Sequence, residues 1–179
     1  MERMTMEIMA SSKSNEWNTP VDLYEKLDHV FHFTLDPCCT HDNALCEKHY
    51  TKEENGLAQS WREEIVFMNP PYGREIGDWI KKAVEESRHY GGSGATVVCL
   101  VPARTDTKWW QDWVFPNADE ICFIRGRVKF AGTTEHGISS TGPAPFPSAI
   151  IVFRPGPLVG WLSTWDYKKT TWILRRKLF

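Results

Sequence analysis

The 179-residue sequence has no excess of positive charge: 21 Lys and Arg stand against 23 Asp and Glu, for a net charge of −2. That excludes a protein that coats nucleic acid through bulk charge, so any grip on a polyanion has to come from a local basic face. No apolar run approaches the ~20 residues needed to cross a bilayer, and no membrane association is expected. No secretory signal opens the chain, and its five Cys are odd in number. Free thiols in a reducing cytoplasm are therefore expected, not a disulfide framework. Internal repeats and low-complexity tracts are also lacking. Residues 1–15, rich in Met and Ser, read as a flexible arm. One compact domain is expected over 16–179, with no separate domain for target recognition.

What the sequence has in quantity is tryptophan, nine in all. Indole rings fill cores and also make platforms for flat ligands. The pair Trp109-Trp110 reads as core packing ahead of base stacking.

Local patterns divide the chain. Thr19 as N-cap, Pro20 at the first helical position and Asp22 in the first turn predict a helix start. Leu23, Leu27, Val30 and Phe31 follow at helical spacing. A strand is expected over 31–35, stopped by Asp36-Pro37, and a second short one over 49–51. The apolar run Ile65-Val66-Phe67-Met68 predicts a buried strand ending in Asn69-Pro70-Pro71-Tyr72-Gly73. Ile76, Trp79, Ile80, Ala83 and Val84 then mark one face of a helix. A strand over 96–101, closed by Pro102, completes a βαβ unit. A short helix over 107–114 and strands over 120–124 and 148–153 are expected, with extended chain at 128–130 and a long loop over 131–147. The alternation predicts an α/β fold with a mostly parallel sheet and ligands at the carboxyl ends of its strands.

The chemistry concentrates at Asn69-Pro70-Pro71-Tyr72. Two prolines fix φ and remove two backbone donors, which leaves the Pro70 carbonyl rigid and unclaimed by a ladder. The Asn69 side-chain oxygen is a second acceptor, and Tyr72 offers an aromatic ring. Two acceptors beside a ring suit an exocyclic amino group on a flat heterocycle. Such a nitrogen is a poor nucleophile because its lone pair is delocalised. Acceptors on both hydrogens favour a pyramidal nitrogen and stabilise its developing positive charge. Alignment with a methyl donor supplies the rest through proximity. A Pro-Pro pair can also be no more than a rigid loop; its position between a buried strand and a helix favours the chemical reading.

From residue 16 to 153 the chain resembles the phage-type Dam-like DNA N-6-adenine methyltransferases of bacteriophages. The resemblance rests on Trp17-Asn18-Thr19-Pro20, Leu35-Asp36-Pro37, Asn55-Gly56-Leu57, Trp61, Phe67-Met68-Asn69-Pro70-Pro71-Tyr72-Gly73, 100–107 with Trp109-Trp110, and Gly126-Arg127-Val128-Lys129-Phe130. It implies a Rossmann-like S-adenosylmethionine-dependent methyltransferase fold, with helices on both faces of the sheet. The implied activity is methyl transfer from S-adenosylmethionine to a flipped-out adenine in double-stranded DNA. Asn69, Pro70, Pro71 and Tyr72 would be the catalytic element. Trp17, Thr19 and Pro20 would close over the methionine end of the cofactor, Asp36 and Pro37 would meet its amino group, and Asn55 and Leu57 would hold its adenine; Asn69 would border the same site. Phe130 would pack on the flipped base, with Arg74, Arg104, Lys108 and Arg127 on the DNA. Where the wider superfamily places a Gly-rich loop after its first strand, residues 36–41 contain no Gly. The acid for the cofactor ribose is left between Glu53 and Glu54.

Other readings compete. Cys38, Cys39, His41, Cys46 and His49 hold zinc-ligand types, but the adjacent Cys-Cys lacks the usual paired spacing, and no metal is expected. Arg74, Arg104, Lys108, Arg125 and Arg127 would serve a non-catalytic DNA-binding module equally well. The same acceptors would also suit cytosine N4 or an RNA adenine. The expected state is a monomer or weak dimer, in the bacterial host's cytoplasm if the chain is phage-encoded. The loop over 131–147 is expected to meet DNA.

Overall fold

The computed structural model describes residues 17–88, 93–130, 132–133, 139–140, 143–158, 160–166, 168 and 171–177. The arm expected over 1–15 lies outside them.

Helix α1 spans Val21–Phe31 and buries Leu23 and Leu27, one turn apart. It keeps Phe31, which the strand pattern had claimed, because Asp28 closes the helix end. The Asp28 carbonyl accepts the His32 N–H at 2.8 Å and its carboxylate accepts the Phe33 N–H at 2.8 Å. His32 makes the turn in the left-handed region at φ 58°. At the other end the expected Thr19 cap is not made. Pro20 occupies the cap position with no side-chain bond, and the Thr19 hydroxyl is engaged elsewhere. Strand β1, Leu35–Asp36, is correspondingly short. It pairs in parallel with β2, Lys48–His49, and with β3, Ile65–Met68.

The βαβ unit follows its pattern closely. Helix α2, Ile76–Ser87, buries Ile76, Trp79, Ile80, Ala83 and Val84. Strand β4, Thr96–Pro102, runs parallel to β3 from Ile65↔Thr96 to Met68↔Cys99. Beyond it, the expected α-helix is a widened π-helical turn over Trp110–Val114 leading into α3, Phe115–Asn117. Pro116 explains the widening: in a regular α-helix its ring would collide with the Asp112 carbonyl. The Phe115 N–H instead reaches the Trp110 carbonyl. Trp110 is fully buried, as expected of core. Its indole donates to the Pro102 carbonyl at 3.0 Å and stacks on Phe123 with centroids 6.2 Å apart.

The remaining strands are β5, Glu120–Ile124; a two-residue ribbon of β6, Gly132–Thr133, and β7, Ser139–Ser140; β8, Ser148–Phe153; β9, Trp161–Asp166; and β10, Thr171–Lys177. The ribbon lies inside the segment expected to be loop alone. The main sheet has the order β10-β9-β5-β8-β4-β3-β1-β2. Six of its eight strands run one way; β8 and β10 are reversed. Connection length explains both reversals. A parallel return needs a crossover across a sheet face, usually a helix. Described residues between β5 and β8 contain no helix, and only four residues separate β9 from β10. The fold is thus mixed α/β around one central sheet. No helix among the described residues is long and apolar enough to cross a membrane.

This topology brings the carboxyl ends of β1, β3, β4 and β5 to one edge. The start of β8 joins them, since Ser148 pairs with Pro102 and the Ala103 N–H reaches the Pro147 carbonyl at 2.8 Å. Asp36, Asn69 and Arg104 therefore stand along the same edge.

Candidate active site

Asn69 follows the last residue of β3, with buried Pro70 behind it. Its Nδ2 donates to the Trp17 carbonyl and to Thr19 Oγ1, the latter at 2.9 Å. A carbonyl can only accept, so the nitrogen must face Trp17 and the orientation of the carboxamide is settled. Its Oδ1 then points away. That oxygen is buried and has no hydrogen-bond partner among the described residues. A buried acceptor left unmade costs about 1–3 kcal/mol, so the fold retains it against a penalty.

Tyr72 is buried and its hydroxyl donates to the Leu100 carbonyl at 3.2 Å. Burial, with the Cys38 thiol beside it, holds the phenol well above its usual range. It is a fixed donor, not a base. Its ring meets Phe130 edge-on at 5.9 Å and Phe146 at 5.5 Å. Trp17 packs on the same two rings, at 5.6 and 5.2 Å. Four aromatic rings thus form a box beside the Asn69 amide. Phe130 is 1% exposed and belongs to its wall. The Arg104 guanidinium lies 5.6 Å from the Phe146 centroid, at the rim. Phe146 carried no sequence assignment, although its setting between Pro145 and Pro147 was a local signal of rigidity.

The other half of the edge is built around Asp36. Its carboxylate is 4% exposed and accepts the Cys38 and Leu45 N–H groups at 3.3 and 3.4 Å. Burial pushes its pKa up to about 6, against the pull of those two amides. Long bonds and desolvation leave it under-compensated, and a cationic amine would relieve that. Burial likewise pushes up the Cys38 thiol, which sits against the Asn69 backbone.

Pro37 is packed closely by a glycine from further along the chain. Gly56 lies so close that a Cβ there would stand 2.0 Å from the Pro37 carbonyl oxygen. Asn55 precedes it at φ 53°. The Gly56 carbonyl accepts the Trp61 indole N–H at 3.0 Å. Asn55-Gly56-Leu57 is thereby pressed onto the end of β1, with Asn55 exposed and Leu57 partly buried against the core. Close backbone approach at this strand end comes from a different loop, some twenty residues downstream. Of the two acids considered for a ribose, Glu54 already accepts the Thr51 N–H at 2.8 Å, and both are exposed.

Pro20 and Pro71 are half-buried at the same edge. Arg74, Arg104, Lys108 and Arg127 are exposed; Lys108 stands 4.0 Å from Asp112. Among the described residues no cluster of three or more metal-ligating side chains occurs. His41 and His49 share a hydrogen bond at 2.9 Å.

A mostly parallel α/β sheet with a reversed strand beside β4, carrying an Asn-Pro-Pro-Tyr acceptor at a strand end, defines a Rossmann-like methyltransferase. The model of the DNA N-6-adenine-methyltransferase (Dam) family matches residues 8–169, and the chain belongs to that family. The DNA N-6-adenine-methyltransferase of Haemophilus phage HP1 is 29% identical over 155 residues, covering 85% of this chain and 86% of that protein. That of Escherichia phage T1 is 33% identical over 110 residues, 60% of this chain. The match spans 44% of the T1 protein, less than half its length. Among solved structures, the methyltransferase subunit of a type I restriction-modification system from Streptococcus thermophilus aligns over 92% of this chain and 52% of its own, at 11% identity and a TM-score of 0.47.

Proposed function

We infer that the chain methylates the N6 amino group of an adenine flipped out of double-stranded DNA, with S-adenosylmethionine as the methyl donor. The observation that supports it is the buried, unpartnered Oδ1 of Asn69, oriented by its own amide nitrogen and bordered by an aromatic box. Family membership supplies the base and the atom.

The cofactor supplies an electrophilic methyl group on a sulfonium. The chain supplies positions and charges. Asn69 Oδ1 and the Pro70 carbonyl accept hydrogen bonds from the two amino hydrogens of the adenine and stabilise the positive charge that grows on nitrogen. The neutral amide does this without the burial of a second carboxylate near Asp36. Asp36 would hold the cofactor's ammonium, and a charge-assisted pair there would compensate its desolvation. Asn55 and Leu57 would hold the cofactor's adenine, with Pro37, Trp17, Thr19 and Pro20 at its methionine end. Tyr72 and Phe130, both buried, would back the place of the base from within the aromatic cluster. Tyr72 and Cys38, both held protonated, take no proton; the methylated nitrogen gives its own to water. Arg74, Arg104, Lys108 and Arg127 hold phosphates. Extrusion of the base costs a few kcal/mol of stacking.

The test is incubation with labelled S-adenosylmethionine and mixed-sequence duplex DNA, followed by digestion to nucleosides. Label in N6-methyladenine is expected. Label in N4-methylcytosine alone, or in RNA but not DNA, would overturn the assignment.

A further inference from the structure

The Asn69 carboxamide is held by two groups, Trp17 and Thr19, that the proposed function places at the methionine end of the cofactor without giving them any role toward the reacting nitrogen. Its Nδ2 hydrogens go to the Trp17 carbonyl and the Thr19 hydroxyl, fifty residues away in the chain. Trp17 is itself pinned, because its indole packs edge-on against Phe130 and Phe146. Thr19 is free to serve because it does not cap α1. The segment is thus a clamp with two acceptors, and one of them, a carbonyl, has no hydrogen to give.

We propose that Trp17 and Thr19 are positioning residues that aim Asn69 Oδ1 at the substrate amino group, and that their clamp makes asparagine obligatory at position 69. The proposal rests on the methyl-transfer reading of this site. Aspartate would supply the same outward oxygen. Its second oxygen, however, would face the Trp17 carbonyl, acceptor against acceptor, in a buried setting where such a contact is costly. The carboxylate would either rotate away or bind a proton so as to donate to Trp17. An Asn69→Asp variant is then active only in its protonated form. The titratable groups around this position are Cys38, Tyr72, Cys99 and Asp36. Burial holds the first two and Cys99 on the protonated side. Asp36 titrates near 6 in the wild type as well, so the ratio of variant to wild type isolates position 69. Arg104, over Phe146, is the neighbouring cation.

Two measurements test this. In the first, wild type, Asn69→Asp, Thr19→Val and Thr19→Ser are compared at saturating cofactor between about pH 6 and about pH 8.5, a window that brackets a raised carboxyl pKa. The Asn69→Asp/wild-type ratio of kcat is expected to rise about tenfold or more as pH falls. Thr19→Val should lose about tenfold in kcat, on the scale of one lost hydrogen bond, with little change in KM for DNA, and Thr19→Ser should restore it. In the second, the Asn69 side-chain NH2 is followed by nitrogen-15 NMR without cofactor or DNA. Two inequivalent, slowly exchanging hydrogens are expected, one of which exchanges fast in Thr19→Val and is protected again in Thr19→Ser. A wild-type-like, pH-independent Asn69→Asp enzyme, or an amide that exchanges freely in the wild type, overturns the clamp. If the wild type transfers no methyl group to DNA, the functional reading fails, and the amide exchange still decides the clamp.

Discussion

Residues 65–102 and residues 36–61 border the same edge of the sheet but are built in opposite ways. The first holds the regular elements β3, α2 and β4, and almost every apolar side chain in those elements is buried. The second contains little regular structure beyond the two residues of β2. It is stapled by polar groups instead. Asp36 holds the Cys38 and Leu45 amides, Glu54 holds that of Thr51, and the Gly56 carbonyl holds the Trp61 indole. Buried Glu86 reaches from α2 to the Trp61 N–H at 2.9 Å. The comparison teaches a division of labour. In the proposed function, a rigid strand end aims the acceptor of the reacting nitrogen. A loop, free of periodic constraint, would wrap the larger ligand of that proposal, and each of its staples is a place where one substitution is felt.

The sharpest contrast is expected from Asn69→Ala. It should lower single-turnover methyl transfer by about 10²–10³-fold, as removal of a preorganised electrostatic group does, while cofactor affinity measured by calorimetry weakens only modestly. Comparable turnover with and without the amide would erase the distinction between the two halves.

Asp36→Asn should do the reverse, with a loss of about tenfold to a hundredfold in S-adenosylmethionine affinity. It also carries a stability signature. The folded-state pKa of about 6 lies above the ordinary value of 3.8, so the native state binds this proton more tightly than the unfolded chain. The contribution is fully present below 3.8 and is lost as pH rises through 6. Above pH 6 the bare carboxylate costs the apo protein about 3 kcal/mol. Asp36→Asn should therefore raise Tm at neutral pH and little near pH 4; an equal shift at both would place the cause elsewhere. Cofactor affinity of the wild type should correspondingly rise with pH through about 6.

Gly56→Ala breaks the loop half alone. A methyl group 2.0 Å from the Pro37 carbonyl has to move backbone, at a cost of about 1–3 kcal/mol. Thermal unfolding and cofactor titration should both register it, whereas protection of the Asn69 amide should survive. Unaltered stability would mean that the two loops are not pressed together.

The smallest effect is expected at the rim. Arg104→Gln should weaken DNA binding several-fold on every sequence alike and reduce the salt slope of log K by about 1, the mark of one lost phosphate contact. A change in sequence preference at constant salt slope would instead make Arg104 a reader of bases.

What could be read from the sequence divides along the same line. Ile65–Met68 and the buried face of α2 were legible because strand and helix periods are local. So was the acceptor motif, since two prolines remove backbone donors in any context. Trp110 was legible as core, but the π turn that seats it needed the Pro116 clash to be weighed against the helical pattern. Thr19 before Pro20 reads as a cap by every local rule, and only a residue fifty positions away takes its hydroxyl for another purpose. Phe31 fits strand and helix alike until the Asp28 side chain closes the helix behind it.

The sequence alone determined the elements with strong periodicity, the rigid acceptor at the end of β3 and, through the ordered motifs, the family. Only the tertiary structure decided which way the Asn69 amide faces, that β8 runs reversed between β4 and β5, and that Gly56 packs against Pro37 at the end of β1. The physical reason is the range of the forces involved. Backbone propensity and hydrophobic period act over a few residues. An amide flip, a backbone approach within van der Waals contact and the pKa of a buried acid depend on groups that meet only when the chain has closed.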